Sequence, residues 1–172
     1  CEESLSFRVL PWNCWSGVDA LPELLASFVI PNHPAIAEVA GLVRDALTQA
    51  TGDGALVGYQ PGNSERVEAI IAASYGALTD LGITYATVGE GFVRGGQLVR
   101  LPEMVLHAFM GNCLDLSLLT AGVLEHMGLA PVLLLTSGHA MVGCWTRKET
   151  MPTAFTDSAA HILKLCEVGD MV

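Results

Sequence analysis

Basic residues are scarce in this chain: 8 Lys and Arg stand against 18 Asp and Glu, a formal charge of −10. That balance offers no attraction to nucleic acid or to an anionic membrane surface, so neither is an expected partner. Cysteine lacks any pairing pattern. Its five positions, 1, 14, 113, 144 and 166, are odd in number and include no C-x-x-C, which fits a reducing compartment better than a disulfide framework or a zinc site. Long apolar runs are also missing. Stretches such as "APVLLLT" fall well short of the ~20 residues that cross a bilayer, and no signal-peptide pattern opens the chain. The glycines around "GEGFVRGG" match no phosphate loop. The expectation is a cytoplasmic protein with no membrane span, no metal and no cofactor.

What is present is apolar bulk: 172 residues at 51% hydrophobic content, enough for one core and one domain over 1–172. The first residue is Cys rather than Met and the last are "EVGDMV", which reads as an excerpt of a longer polypeptide. "SLSFRVL" (4–10) alternates like a strand, and "PWNCWSG" breaks it. Helices are predicted over 20–28, over 34–50 with Ile36, Val39, Ala40, Val43 and Leu47 on one face, and from a Ser64 cap to about Leu81. "ITYATV" and "QLVR" read as short strands and 102–108 as a short helix. Asn112 then caps a helix running to Met127, and Gly128 stops it. "APVLLLT", a two-residue "SG" and "HAMVGCW" form a β-hairpin apolar enough for the middle of a sheet. A helix over 158–165 and a strand begun by "DMV" close the chain. Helices early and sheet late imply an α+β fold with a helical N-terminal half.

Cys113 is the residue with most chemical promise. A thiol in the first turn of a helix lies near unspent backbone N–H groups and the positive end of the helix dipole, both of which favour the thiolate. Its own N–H can serve as an oxyanion donor, a contact worth roughly 3 kcal/mol in a transition state. His139 opens the second hairpin strand just after a glycine, so the helix and the hairpin that follows it can bring imidazole and thiol together as base and nucleophile. Cys144 lies at strand spacing and reads as core, and His107, His126 and His161 read as surface residues. Trp12 and Trp15 flank a turn and read as core aromatics that could also wall a cleft.

The stretch "GNCLDLSLLTAGVLEHMGLAPVLLLTSGHAMVGCW" (111–145) resembles the core of the transglutaminase-like superfamily of cysteine proteases and acyltransferases, a papain-like fold. "GQLVRLPEMVL" and "LPELLASFVIPNHPAI" extend the likeness toward a transglutaminase-like domain of large bacterial multidomain proteins, some with helicase-like modules. The resemblance implies a Cys-bearing helix packed on an antiparallel sheet, with Cys113 as nucleophile, His139 as base and Asp115 structural. The activity it implies is a peptidase acting on a protein or peptide amide through an acyl-enzyme. The alternatives are amide acyl transfer or glutamine deamidation on the same dyad, or a catalytically silent peptide-binding or assembly domain. Implied partners are a protein or peptide substrate and other domains of the parent polypeptide. Such enzymes also use a further oxyanion donor, for which Gln97 is the first candidate and Asn112 and Trp15 lesser ones. They use an orienting acid on the strand after the histidine strand, expected beyond Val172, with Asp170 and Asp157 as weaker candidates.

Overall fold

The structure, a computed structural model, describes residues 9–87 and 96–172. The strand expected over 4–10 lies almost wholly outside the described residues, as does most of the glycine-laden loop before Gln97. The rest mixes helix and strand in the expected α+β manner.

The fold is built around α4 (Cys113–His126), which is apolar on nearly every side: Leu114, Leu118, Leu119, Ala121, Val123 and Leu124 are all buried. A helix apolar all round needs cover all round. On one side it meets α1 (Pro34–Thr51) and α2 (Ser64–Asp80). There Ile36, Val43 and Leu47 pack with Leu119, Val123 and Leu124 in a single cluster. Gly122 lets α1 come close, since a Cβ there would meet Ile36 Cδ1 at 3.3 Å. On its other side α4 carries a hairpin of β5 (Pro131–Thr136) and β6 (His139–Cys144).

Local signals explain the helix ends. α1 begins with Pro34 at its first position and His33 as cap, and it ends at Gly52 in the left-handed region. α2 is capped by Asn63, whose side chain accepts from Glu65 N–H, so Ser64 is the first helical residue and not the cap as expected. Two cap-forming residues are adjacent here, and the earlier one takes the position. The segment predicted as helix over 20–28 is a 3₁₀ helix, Pro22–Phe28. The tail helix α5 (Ala159–Glu167) starts from a Ser158 cap.

Among the described residues the strands form three separate pairs. β1 (Cys14–Trp15) runs antiparallel to β3 (Gln97–Leu98), and β2 (Thr84–Tyr85) runs parallel to β4 (Met110–Gly111). β5 and β6 pair antiparallel through a Ser137–Gly138 turn, with Gly138 at φ 81°. Only the second turn residue has positive φ, the type II pattern, rather than the primed turns commonest in two-residue hairpins. The hairpin is therefore not mid-sheet as its apolar sequence suggested. β5 has no second partner among the described residues, and β6 is joined at its far end by Met171 and Val172. Its apolar character comes from the face laid on α4. The short α3 (Pro102–Ala108) completes the helical set. Among the described residues no helix is long and apolar enough to cross a membrane.

The loop between α1 and α2 fastens the base of α4. Gly58, at φ 53°, lies so near that a Cβ would meet Gly128 O at 2.9 Å. Beside it the Tyr59 hydroxyl donates to Trp145 O at 2.8 Å and accepts from Ala130 N–H at 3.0 Å. Burial pushes the Tyr59 phenol well above its usual range, so it stays neutral and keeps both bonds. Tyr59→Phe strands two backbone groups and should cost about 2 kcal/mol in urea unfolding. A loss below about 0.5 kcal/mol would show that the bridge is not structural.

Candidate active site

The first turn of α4 is organised by a reciprocal cap. Asn112 Oδ1 accepts from Leu114 N–H (2.9 Å) and Asp115 N–H (3.0 Å), while Asp115 Oδ2 accepts from Asn112 N–H at 3.1 Å. Leu116 N–H bonds to Asn112 O in ordinary helical fashion. The cap therefore uses every early N–H of the helix except that of Cys113, the group an oxyanion would need.

Asp115 is fully buried, and its two oxygens reach further than the cap. Oδ1 accepts from Arg100 backbone N–H at 2.8 Å, and Oδ2 pairs with Arg100 Nη1 at 2.9 Å. These bonds hold the segment after β3 against the first turn of α4. Sequence reasoning assigned Asp115 to the helix start but not to Arg100, because nothing in their spacing marks a pair.

Cys113 is 8% exposed and lies in a cluster with Trp15, Leu25, Val99, Leu114, Leu118 and Ala140. Ala140 is the residue after His139, so the opening of β6 comes to the N-terminal end of α4. The imidazole itself is less committed. His139 pairs with Thr136 at the exposed tip of the hairpin. Strand alternation turns Ala140, Val142 and Cys144 toward the core, which assigns His139 and the 41% exposed Met141 to the other face. No hydrogen bond joins the His139 ring to the Cys113 thiol.

Gln97 is half-buried and pairs with Trp15 across the β1–β3 ribbon. It shares a face with Val99, which is packed in the Cys113 cluster, while Leu98 between them points out at 57% exposed. Gln97 is thus on the thiol's side of its strand. Asn112 spends its Oδ1 on the cap, accepting from Leu114 and Asp115 N–H. Trp15 is buried as expected, whereas Trp12 is 74% exposed and is not a core residue.

The weaker acid candidates are not placed to orient His139. Asp170 accepts Thr146 N–H through its carbonyl and pairs with Arg147 at 2.7 Å. With Met171 opposite Trp145, it sits past the far end of β6, roughly 20 Å along the strand from His139. Asp157 stands exposed ahead of α5, with no hydrogen bond to His139.

One residue that sequence reasoning missed lies beside the start of α4. Parallel pairing sets Tyr85 opposite Gly111, with Ala86 N–H donating to Gly111 O at 2.8 Å. The Tyr85 phenol is pushed up chiefly by hydrogen bonding with the Cys113 side chain, then by burial, against a smaller lowering from Cys113 N–H. No signal in "ITYATV" links it to a residue so far along the chain.

The other thiols differ in kind: Cys144 is buried, Cys14 is half-buried and Cys166 is exposed. Burial pushes the Cys144 thiol up to about 11. Among the described residues no three His, Cys, Asp or Glu side chains gather as metal ligands would. A cleft of about 460 Å³ lined by Gly58, Tyr59, His126, Gly128 and Lys148 lies at the opposite end of α4 from Cys113. Comparison with protein-family models, curated proteins and solved structures finds no match.

Two outcomes follow from this geometry. Asp115→Ala leaves Arg100 and Asn112 N–H without their acceptor and should cost about 3 kcal/mol in urea unfolding, whereas the exposed cap change Asn63→Ala should cost about 1 kcal/mol. Equal costs would deny Asp115 its central role. Cys144 keeps its proton when folded up to about pH 11, while the unfolded thiol releases it near 9. Its contribution is whole below pH 9 and declines as pH rises toward 11, because the unfolded chain then binds fewer protons. The Cys144→Ala variant should therefore lose less stability than the parent between pH 8 and pH 10.5, and parallel losses would contradict the assignment.

Proposed function

We propose that this chain is a cysteine hydrolase of the transglutaminase-like class, a peptidase cleaving a protein or peptide amide through an acyl-enzyme on Cys113. The observation that carries the reading is the start of α4. A thiol occupies its first position, and the one early N–H unused by the cap belongs to the same residue. Nucleophile and oxyanion donor on a single residue are two of the requirements of acyl transfer.

In this reading the Cys113 sulfur attacks the amide carbon, and His139 protonates the nitrogen as the C–N bond breaks. His139 then takes a proton from water, the hydroxide adds to the acyl carbon, and the C–S bond breaks to regenerate the thiolate. The acid that orients His139 belongs, in this proposal, to the edge begun by Met171 and Val172, which runs beside β6 toward the hairpin tip. Gln97 is proposed as an additional oxyanion donor. A cytoplasmic setting and a parent multidomain protein belong to the same proposal.

A second reading is favoured by one specific observation. The β6 pleat assigns His139 to the face away from α4, and no bond joins it to the thiol. That arrangement suits a catalytically silent peptide-binding or assembly domain.

Alkylation of Cys113, followed by peptide mapping, separates the two. A working dyad predicts that iodoacetamide modifies Cys113 at pH 6 at least tenfold faster than Cys14 or Cys166, and that His139→Ala removes the advantage. A Cys113 rate no higher than that of a simple thiol, and indifferent to His139→Ala, supports the silent domain. Adding a primary amine during peptide turnover and finding it joined to the acyl product would mark transfer instead of hydrolysis.

A further inference from the structure

Between α3 and β4 the chain turns sharply on a residue unsuited to the turn. Phe109 has φ 47° and ψ 41°, and among the described residues it alone combines a side chain with positive φ. A bulky side chain there costs about 1 kcal/mol or more, a strain that glycine would not meet. The ring adds nothing to the core in return, being 53% exposed and outside both apolar clusters. Met110 beside it is 42% exposed. The main chain at this apolar pair also has an open edge. Phe109 O accepts from Thr84 N–H and Gly111 O from Ala86 N–H, both at 2.8 Å, so both carbonyls turn toward β2. The planar trans peptide and the alternation of an extended strand then turn Met110 N–H and C=O the other way. Neither group has a hydrogen-bond partner among the described residues.

We propose that the outer edge of β4 is the docking strand for an extended peptide, which pairs its main chain with Met110 and lays an apolar side chain against Phe109 and Met110. That the peptide is a substrate rests on the hydrolase reading; that it binds does not. An open donor and acceptor on one residue match the acceptor and donor of one residue in an added strand. An edge one residue long gives two hydrogen bonds, too little to join two copies of the chain but enough to set the register of a flexible segment that a side-chain contact also holds. The edge leads to the proposed nucleophile. Met110 lies three residues before Cys113, at most about 11 Å along the backbone. A peptide in register with Met110 therefore reaches the start of α4 within about three of its own residues. The net charge of −10 favours a neutral or basic peptide over an acidic one. The left-handed turn creates this edge, because it ends α3 through Phe109 N–H to Val105 O and sends the chain out along β2.

Binding is read on the Cys113→Ala protein, which leaves the peptide whole. The probe is acetylated and amidated Lys-Leu-Thr-Leu-Thr-Lys, followed by calorimetry and by NMR exchange of the Met110 amide. Saturating peptide should slow that exchange about tenfold or more. Only alternate residues of a strand face its neighbour, so methylating either the two leucine nitrogens or the two threonine nitrogens should weaken binding about tenfold, and the other pair should leave it unchanged. Phe109→Gly removes the ring and relieves the turn, so it should weaken binding about tenfold without lowering the melting temperature. Phe109→Asn, which also tolerates the left-handed region, serves as the second variant and should behave alike. No binding at about 1 mM peptide, equal loss from both methylation patterns, or full binding by both Phe109 variants would overturn the proposal. So would a self-associated protein whose Met110 amide is protected without peptide, since a second copy would then be the occupant. Cleavage is assayed apart, on the parent protein: docking without cleavage sinks the hydrolase reading alone, and cleavage without protection of Met110 sinks the docking strand alone.

Discussion

A carboxylate with no exposed surface holds the site together. Asp115 accepts from Arg100 twice and from Asn112 once, all within 3.1 Å. A buried charge is costly unless its lone pairs are satisfied, and here the donors come from the segment after β3 and from the helix's own cap. The same bonds that satisfy Asp115 set the segment after β3 beside the first turn of α4. Gln97, Val99 and Leu101 thereby come to the neighbourhood of Cys113. Asn112, locked by its own exchange with Asp115, consumes two N–H groups and leaves that of Cys113 to other chemistry.

The rest of the fold serves to keep α4 still. α1 and α2 cover one side through Ile36, Val43, Leu47 and Ile70, and the hairpin covers the other through Leu133, Leu135, Ala140 and Val142. Tyr59 bridges Ala130 and Trp145 and fastens the hairpin's root to the α1–α2 loop. The thiol end of α4 is the one approached by short strands, β1 with β3 and β2 with β4. A well-packed helix with short strands at its N-terminus would suit the proposed nucleophile, because packing holds the Cys113 side chain while separate strands approach it.

Much of this was legible in the residues. The helical period of Ile36, Val39, Val43 and Leu47 marks α1, and Asn112 with Asp115 marks the start of α4. Ser137–Gly138 between two apolar runs marks the hairpin. Short strands of two residues carry no period to detect, so Thr84–Tyr85 and Gln97–Leu98 emerge only as fragments of longer guesses. Long-range pairing is the harder loss. Arg100 with Asp115 and Tyr85 with Gly111 depend on which segments lie side by side, which no local pattern encodes. The apolar hairpin suggested a mid-sheet position because burial on one face and half-burial on the other resemble, in sequence, burial on both. Asp170 looked eligible as an orienting acid until the register with Trp145 placed it at the wrong end of β6.

The proposed chemistry turns on whether the Cys113 sulfur becomes acylated. Intact-mass spectrometry after brief exposure to a peptide thioester or activated ester, with fragmentation to locate the added mass, reads that event directly. One acyl group is expected on Cys113, absent in Cys113→Ser and shed with time in water at a rate that falls on His139→Ala. Acylation that is absent, or that falls on Cys14 and Cys166 in proportion to their exposure, would contradict it.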